Sequence, residues 1–221
     1  IIACLVGSEM CIRDRSTTNN IFHYWIDILQ DLLPCSLFEQ FREKEDEYFW
    51  IQEILTELEL IVDTTEQSIY RPDDDKKQKK YYSGKKKSHT LKNQIITTEK
   101  GTEIVDVIVG ERGPESDVNL LIKQLSKFDK KQKFQGDKGD QGAERTTIPK
   151  KKPRKQELPA EIKEDNLKLA QKRIFVEHII RLIKIFGLAR ERFRLKDSNY
   201  EKVILTICGL VRLRIGAFLL V

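Results

Sequence analysis

Residues 58–65 read Leu58-Glu59-Leu60-Ile61-Val62-Asp63-Thr64-Thr65. A short apolar, partly β-branched run bounded by threonines predicts a buried strand, and Asp63 ends its apolar part. Two other acids sit in comparable settings. Asp137 follows the short run Lys133-Phe134-Gln135-Gly136, and Glu177 lies inside the amphipathic stretch Arg173-Ile174-Phe175-Val176-Glu177-His178-Ile179-Ile180-Arg181. Two carboxylates at strand ends and a third on a helix can converge on divalent metal ions. Hard cations such as magnesium take oxygen ligands, and a pair of them can stabilise both attacking and leaving oxygens in phosphoryl transfer.

Outward from this stretch the pattern is mixed. Phe22, Trp25, Ile26, Leu29, Leu32 and Leu33 recur at three- and four-residue steps until Pro34, which predicts a helix. A second helix is expected over about 45–57, with Phe49, Trp50, Ile54 and Leu55 on one face. After the 58–63 strand comes a basic block, Lys76 to Lys87, interrupted by Tyr81-Tyr82-Ser83-Gly84. Segments 89–98 and 102–109 predict an antiparallel pair turned at Glu99-Lys100-Gly101. A helix over 117–128 and a short strand over 133–137 come next. Residues 143–168 read as a charged, proline-broken, mobile insertion containing Lys150-Lys151-Lys152-Pro153-Arg154-Lys155, with a short strand at 145–148. Helices resume near Ala160 and end at Gly187, and Asp197-Ser198 is expected to cap a last one. This order predicts an α/β fold, a mixed sheet flanked by helices.

The chain has 221 residues, enough for one domain with a real core. Charged residues make up 34% and hydrophobic ones 39%. The net charge is only +5, but the lysines are bunched. A basic stripe beside acidic metal ligands suits a polyanion, whereas a charge run alone is also explained by a solvated loop. Cys4, Cys11, Cys35 and Cys208 form no Cys-x-x-Cys pair, and no Cys/His cluster has zinc spacing, so a reduced, cytosolic chain is expected. No secretory signal is read in Ile1–Gly7, which is short with nothing basic before it. The apolar 203–221 stretch contains Arg212 and Arg214. Each would cost about 2.5–3.5 kcal/mol at a bilayer centre, so a buried closing helix with the arginines at its edge is expected. Gly7-Ser8-Glu9-Met10-Cys11-Ile12-Arg13-Asp14-Arg15 resembles translated sequencing-adapter DNA and lacks a clear period. Residues 1–15 are therefore expected to be non-native, and the natural protein to be truncated at its N-terminus.

Each acid has a plain alternative. Asp63 could serve a turn, and Asp137 could belong to a glycine-rich turn in Gly136-Asp137-Lys138-Gly139-Asp140-Gln141-Gly142. Glu177, expected on a largely buried helix, could pair with Arg173 or Arg181, each four residues away. His178 points about 100° from Glu177 on a helix and is not expected to share its site. His89 is equally compatible with a phosphate contact or plain exposure.

Five stretches carry a resemblance: Leu60-Ile61-Val62-Asp63-Thr64-Thr65-Glu66, Tyr82 to Lys92, Gly113-Pro114-Glu115-Ser116-Asp117, Gly136-Asp137-Lys138-Gly139 and Arg173-Ile174-Phe175-Val176-Glu177-His178. From about Ile21 onward the chain resembles DDE-superfamily transposases and endonucleases of bacterial insertion sequences. The resemblance implies a ribonuclease-H-like fold, with Asp63, Asp137 and Glu177 as catalytic ligands of two Mg2+ or Mn2+ ions. It implies metal-dependent DNA cleavage followed by strand transfer, with double-stranded DNA as partner, a homodimer as an open option, no membrane, and a bacterial, DNA-associated cytoplasmic protein. Related transposases carry tyrosine, two residues, arginine, three residues, glutamate, six residues, lysine. Arg173, Glu177 and Lys184 fit that spacing, while Ala170 stands at the tyrosine position.

Asp140 is a second departure, since a tyrosine usually follows the aspartate-lysine-glycine run. A helix-turn-helix, which in the family precedes the region near Phe22, is missing. Lys85, Lys86, Lys87, Arg173 and Lys184 are the expected DNA contacts, with the Lys150–Lys155 loop helping to hold the duplex. The implied organisation is a non-native segment (1–15), a helical remnant or linker (16–57) and a catalytic domain (58–221) with a basic insertion at 143–168. Three other readings remain at this point. They are a nuclease without strand transfer, an inactive truncated copy that binds DNA non-specifically, and a basic helical interaction protein with scattered carboxylates.

Overall fold

The computed structural model describes residues 2–152 and 157–217, with side chains from Ser16 onward other than that of Lys138. Pro153, Arg154 and Lys155 of the basic insertion, and the last four residues, lie outside the described residues, as do the side chains of the adapter-like segment.

The centre is β1 (Glu59–Ser68), whose Leu60, Ile61 and Val62 are completely buried. It pairs antiparallel with β3 (Ser88–Thr97) and parallel with β5 (Lys133–Gln135). β4 (Ile104–Arg112) lies antiparallel on the far side of β3, and β6 (Thr146–Thr147) continues the sheet parallel to β5. The two-residue β2 (Tyr82–Ser83) pairs with the start of β3. The strand order is thus β4-β3-β1-β5-β6. This is a mixed parallel and antiparallel sheet flanked by helices, the ribonuclease-H-like layout that the resemblance implies. β1 does not stop at Asp63. Its ladder with β3 continues from Asp63↔Ile95 to Ser68↔Thr90, so the end of the apolar run marks where full burial ends rather than where the strand ends.

Alternation along β1 sends side chains into two cores. Ile61 joins Ile95 and Val107 beneath α1 (Ile2–Leu32), α6 (Ala160–Ile183) and α8 (Tyr200–Ile215). Leu60 and Val62 join Ile96, Leu121 and Phe134 beneath α2 (Leu37–Gln40), α3 (Glu45–Leu55) and α5 (Asp117–Leu125). The first three helices therefore share both cores with the sheet. Their buried faces differ from the expected ones. α1 buries Ile26 and exposes Trp25 and Leu32, and α3 buries Ile51 and Leu55 while Phe49, Trp50 and Ile54 face outward. α4 (Asp75–Tyr81) carries Lys76, Lys77, Lys79 and Lys80 of the basic block, and α7 (Gly187–Arg190) comes after α6. The β3–β4 hairpin turns as predicted, with Gly101 at φ +63° donating its N–H to the Thr98 carbonyl (2.9 Å). Asp197-Ser198 does not cap α8 but lies in a 3-10 turn ahead of it. The near end of the basic insertion is pinned to α6, because Lys150 exchanges two hydrogen bonds with the Asn166 side chain (2.9 and 3.0 Å).

The largest departure is Arg212. Expected at the edge of its helix, it is completely buried. Its Nε and Nη2 donate to both Glu103 carboxylate oxygens (2.7 and 3.0 Å), Nη1 to the Pro34 and Ser36 carbonyls, and Nη2 to Gln40 Oε1. Planar guanidinium geometry matches a carboxylate bidentately, and the spare donors satisfy the corner between α1 and α2. Removing one partner of such a pair strands a buried charge. Arg212→Ala is expected to lower unfolding free energy by about 3–5 kcal/mol in urea titration. A loss under about 1 kcal/mol, the usual range for a surface ion pair, would mean that this network does not hold α8.

Candidate active site

The site begins with the β1–β5 register. Glu59 faces Lys133, Leu60 faces Phe134 and Ile61 faces Gln135. Carried two residues further, this register sets Asp63 opposite Asp137 on neighbouring parallel strands. Period-two alternation puts Asp63 on the same face as Ile61, the face covered by α6. α6 is tied to both strands just below this level. Gln135 Nε2 donates to the Leu169 carbonyl (2.6 Å), and Lys172 Nζ pairs with Glu59 (2.7 Å).

The next residue on that helix, Arg173, touches all three predicted acids. Its Nη2 is 3.7 Å from Asp63 Oδ2 and 3.4 Å from Glu177 Oε1, and its Nη1 is 3.2 Å from Asp137 Oδ1. Asp63, Asp137 and Glu177 are thus brought together around one guanidinium. Glu177 is not buried as expected. Its side chain is 56% exposed, and Val176, Ile179, Ile180 and Ile183 form the buried stripe beside it. Asp137 is also half-exposed, whereas Asp63 is largely covered.

Electrostatics separates their roles. Burial pushes the Asp63 carboxyl above the ordinary aspartate range. Arg173 and the Thr64 N–H (2.9 Å) pull it back, while Asp137 and Glu177 push it further up. Lys184, at the C-terminal cap of α6, has its pKa lowered by burial and by Lys86, with Asp63 opposing. Arg173, Lys184 and Lys86 therefore form a cationic trail leading from the acids, and Lys85 to Lys87 lie exposed in the turn between β2 and β3. His178 is exposed, and His89 packs edge-on against Tyr82 (5.5 Å) rather than entering the site.

Sequence reading missed a second tier. Asp117 Oδ1 accepts from Thr64 Oγ1 (3.0 Å) and from Lys92 Nζ (2.9 Å), whose ammonium is buried. Asp140, which stands where related transposases carry tyrosine, is buried behind Asp137 instead of facing solvent, and accepts its backbone N–H (2.8 Å). The signal for Asp140 was local, in the glycine spacing of 136–142; the Thr64–Asp117–Lys92 link spans distant segments and had none.

The model of the DDE superfamily endonuclease family matches residues 62–212. The chain belongs to that superfamily. The match takes in all three acids and closes at the buried Arg212. Over 145 residues the chain is 37% identical to a protein of Microchaete diplosiphon described as a probable transposase for insertion sequence element IS702, covering 64% of this chain and 51% of the relative. The chain thus spans about half the length of the curated relative it matches. No solved structure matches it.

DDE endonucleases use divalent metal ions. The donor set here suits one: three carboxylates are hard oxygen ligands, and a single cationic group already bridges them. Among the described residues no three acids, histidines or cysteines are arranged to hold a metal as they stand. The half-exposed Asp137 and Glu177 side chains have room to turn from the guanidinium. Among the described residues no helix is long and apolar enough to cross a membrane. Cys35 and Cys208 are buried free thiols.

Asp140 supplies a pH signature. Burial, reinforced by the charges of Asp117, Asp63 and Asp137, pushes its carboxyl up to about 6. The folded state then holds this proton more tightly than the unfolded state does, so its contribution is full below about pH 4 and is lost as pH rises through about 6. Asp140→Asn carries no charge, and its plot of melting temperature against pH is expected to be flatter between about pH 4 and 7. Parallel wild-type and variant profiles would contradict the shift.

Proposed function

We propose that the chain is the catalytic part of an insertion-sequence transposase that hydrolyses DNA phosphodiester bonds with divalent metal and then transfers the freed 3′ end. The observation carrying this reading is the meeting of Asp63, Asp137 and Glu177 around Arg173 in a chain of the DDE superfamily. Asp63, Asp137 and Glu177 would together hold the Mg2+ or Mn2+ ions, two in the reading proposed here, with Asp63 as the central ligand. Ions held there would supply acidification of the attacking water or hydroxyl and stabilisation of the leaving oxygen. Asp63, least exposed of the three, fixes the position of the site, and the more exposed Asp137 and Glu177 close on it.

Arg173 exchanges its carboxylate partners for a phosphate, and Lys184 with Lys86 steers the next phosphates. Lys85 and Lys87 add sequence-independent attraction for the duplex. Residues 58–221 form the catalytic domain, 16–57 derive from the region before it, and 1–15 are non-native. The protein acts on double-stranded DNA in the bacterial cytoplasm, with a homodimer able to hold two element ends.

Supercoiled plasmid incubated with Mn2+ tests the cleavage step. Nicking is expected with Mn2+, not with EDTA, and is expected to vanish in Asp63→Ala, Asp137→Ala and Glu177→Ala. Joined products beside nicked ones support transfer; nicking alone leaves a nuclease. DNA binding that is indifferent to metal and to Asp63→Ala, with no nicking, would make this an inactive copy.

The lysines make a separate prediction. Replacing Lys85, Lys86 and Lys87 together by alanine is expected to reduce the slope of log affinity against log salt by about 0.9 for each phosphate that is no longer neutralised. An unchanged slope would place the duplex elsewhere.

A further inference from the structure

The run Gly136-Asp137-Lys138-Gly139-Asp140 owes its glycines to two aspartates outside the set of three. A Cβ on Gly136 would stand 2.4 Å from Asp140 Oδ2 and 2.8 Å from Asp140 Cβ. A Cβ on Gly139 would stand 2.7 Å from Asp117 Oδ2. Both carboxylates are therefore packed directly onto the backbone of the turn that carries Asp137.

The contacts run both ways. Asp140 Oδ2 accepts the Asp137 N–H (2.8 Å), Asp140 N–H donates to the Asp137 carbonyl (2.9 Å), and Ala143 N–H donates to the Asp140 carbonyl (3.1 Å). Asp117 begins α5 behind the Ser116 cap and holds Thr64 Oγ1 and Lys92 Nζ. Thr64 in turn gives its N–H to Asp63 Oδ1 (2.9 Å). A continuous path thus joins Asp63, Thr64, Asp117, the Gly139 backbone, Asp140 and Asp137.

Such a path has a reason to exist. The β1–β5 register runs from Glu59↔Lys133 to Ile61↔Gln135 and ends two residues short of the aspartates. We infer that Asp140 and Asp117 are positioning residues, a clamp beyond the end of the ladder that holds Asp137 opposite Asp63. The inference rests on the proposed roles of Asp63 and Asp137. It also accounts for Asp140 where related chains carry tyrosine: the carboxylate is buried against the turn that carries Asp137 rather than exposed beside it.

Mn2+ affinity, read from the free-ion electron paramagnetic resonance signal, tests this together with melting temperature. Outer-shell partners typically change metal affinity by about 10–100-fold. Asp140→Ala is expected to weaken Mn2+ binding by about that much while keeping a cooperative melt. Asp140→Asn, which keeps an acceptor for the Asp137 N–H, is expected to restore most of it. Gly136→Ala, which displaces the carboxylate without removing it, should weaken binding as Asp140→Ala does, and the double variant should be no worse than either single one.

Wild-type affinity in Asp140→Ala, or independent additive losses in the double variant, would overturn the clamp. Should Asp140→Ala not fold, Gly136→Ala carries the same expectation. A wild-type protein that binds no Mn2+ would sink the metal-site reading alone. The clamp is then decided by hydrogen exchange at the Asp137 amide. Exchange faster in Asp140→Ala but not in Asp140→Asn supports it, and unchanged exchange in both refutes it.

Discussion

Two strands, β1 and β5, run parallel and side by side, with Leu60 facing Phe134 and Ile61 facing Gln135. Parallel neighbours present side chains of equal register on the same face, so the two aspartates two residues further on emerge together. Both emerge beneath α6, which is fixed to the same strands by the Gln135–Leu169 and Lys172–Glu59 contacts. One turn of that helix then supplies Arg173 and Glu177, four residues apart and therefore on one side. A slip of one residue in the β1–β5 pairing would turn Asp63 away from Asp137 and toward α5.

Gathering like charges has an electrostatic cost, and the site meets it with cations. Arg173 lies among the acids, and Lys184 interacts electrostatically with both Asp63 and Lys86. On the proposed reading, a phosphate backbone approaching along Lys86 and Lys184 would meet positive charge before the carboxylates, where a bound multivalent cation would offset the like-charge repulsion.

The legible parts of the sequence were those set by short-range periodicity. Leu60-Ile61-Val62 announced a buried strand because both its faces are covered, and Arg173, Glu177 and Lys184 announced one helical side through their spacing. The extension of β1 to Ser68 was hidden because its residues past Val62 are paired with β3 but mostly only partly covered. Trp50 and Phe49 looked like core because aromatic content says nothing of which side of α3 meets the sheet. Arg212 was misplaced for a different reason: its partner Glu103 lies 109 residues away, and no local pattern predicts such an encounter. Asp140 fell between the two classes. Its bond to Asp137 is local, but its meaning depends on α5 arriving from elsewhere to press Asp117 against Gly139.

The proposed function requires that Asp63, Asp137 and Glu177 act as one ligand set. Anomalous diffraction from Mn2+-soaked crystals measures it directly. Anomalous density is expected between these three side chains, at metal–carboxylate bonding distance from Asp63, with the Arg173 guanidinium withdrawn from them. Mn2+ bound elsewhere, or an Arg173 still bridging all three carboxylates at saturating Mn2+, would contradict it.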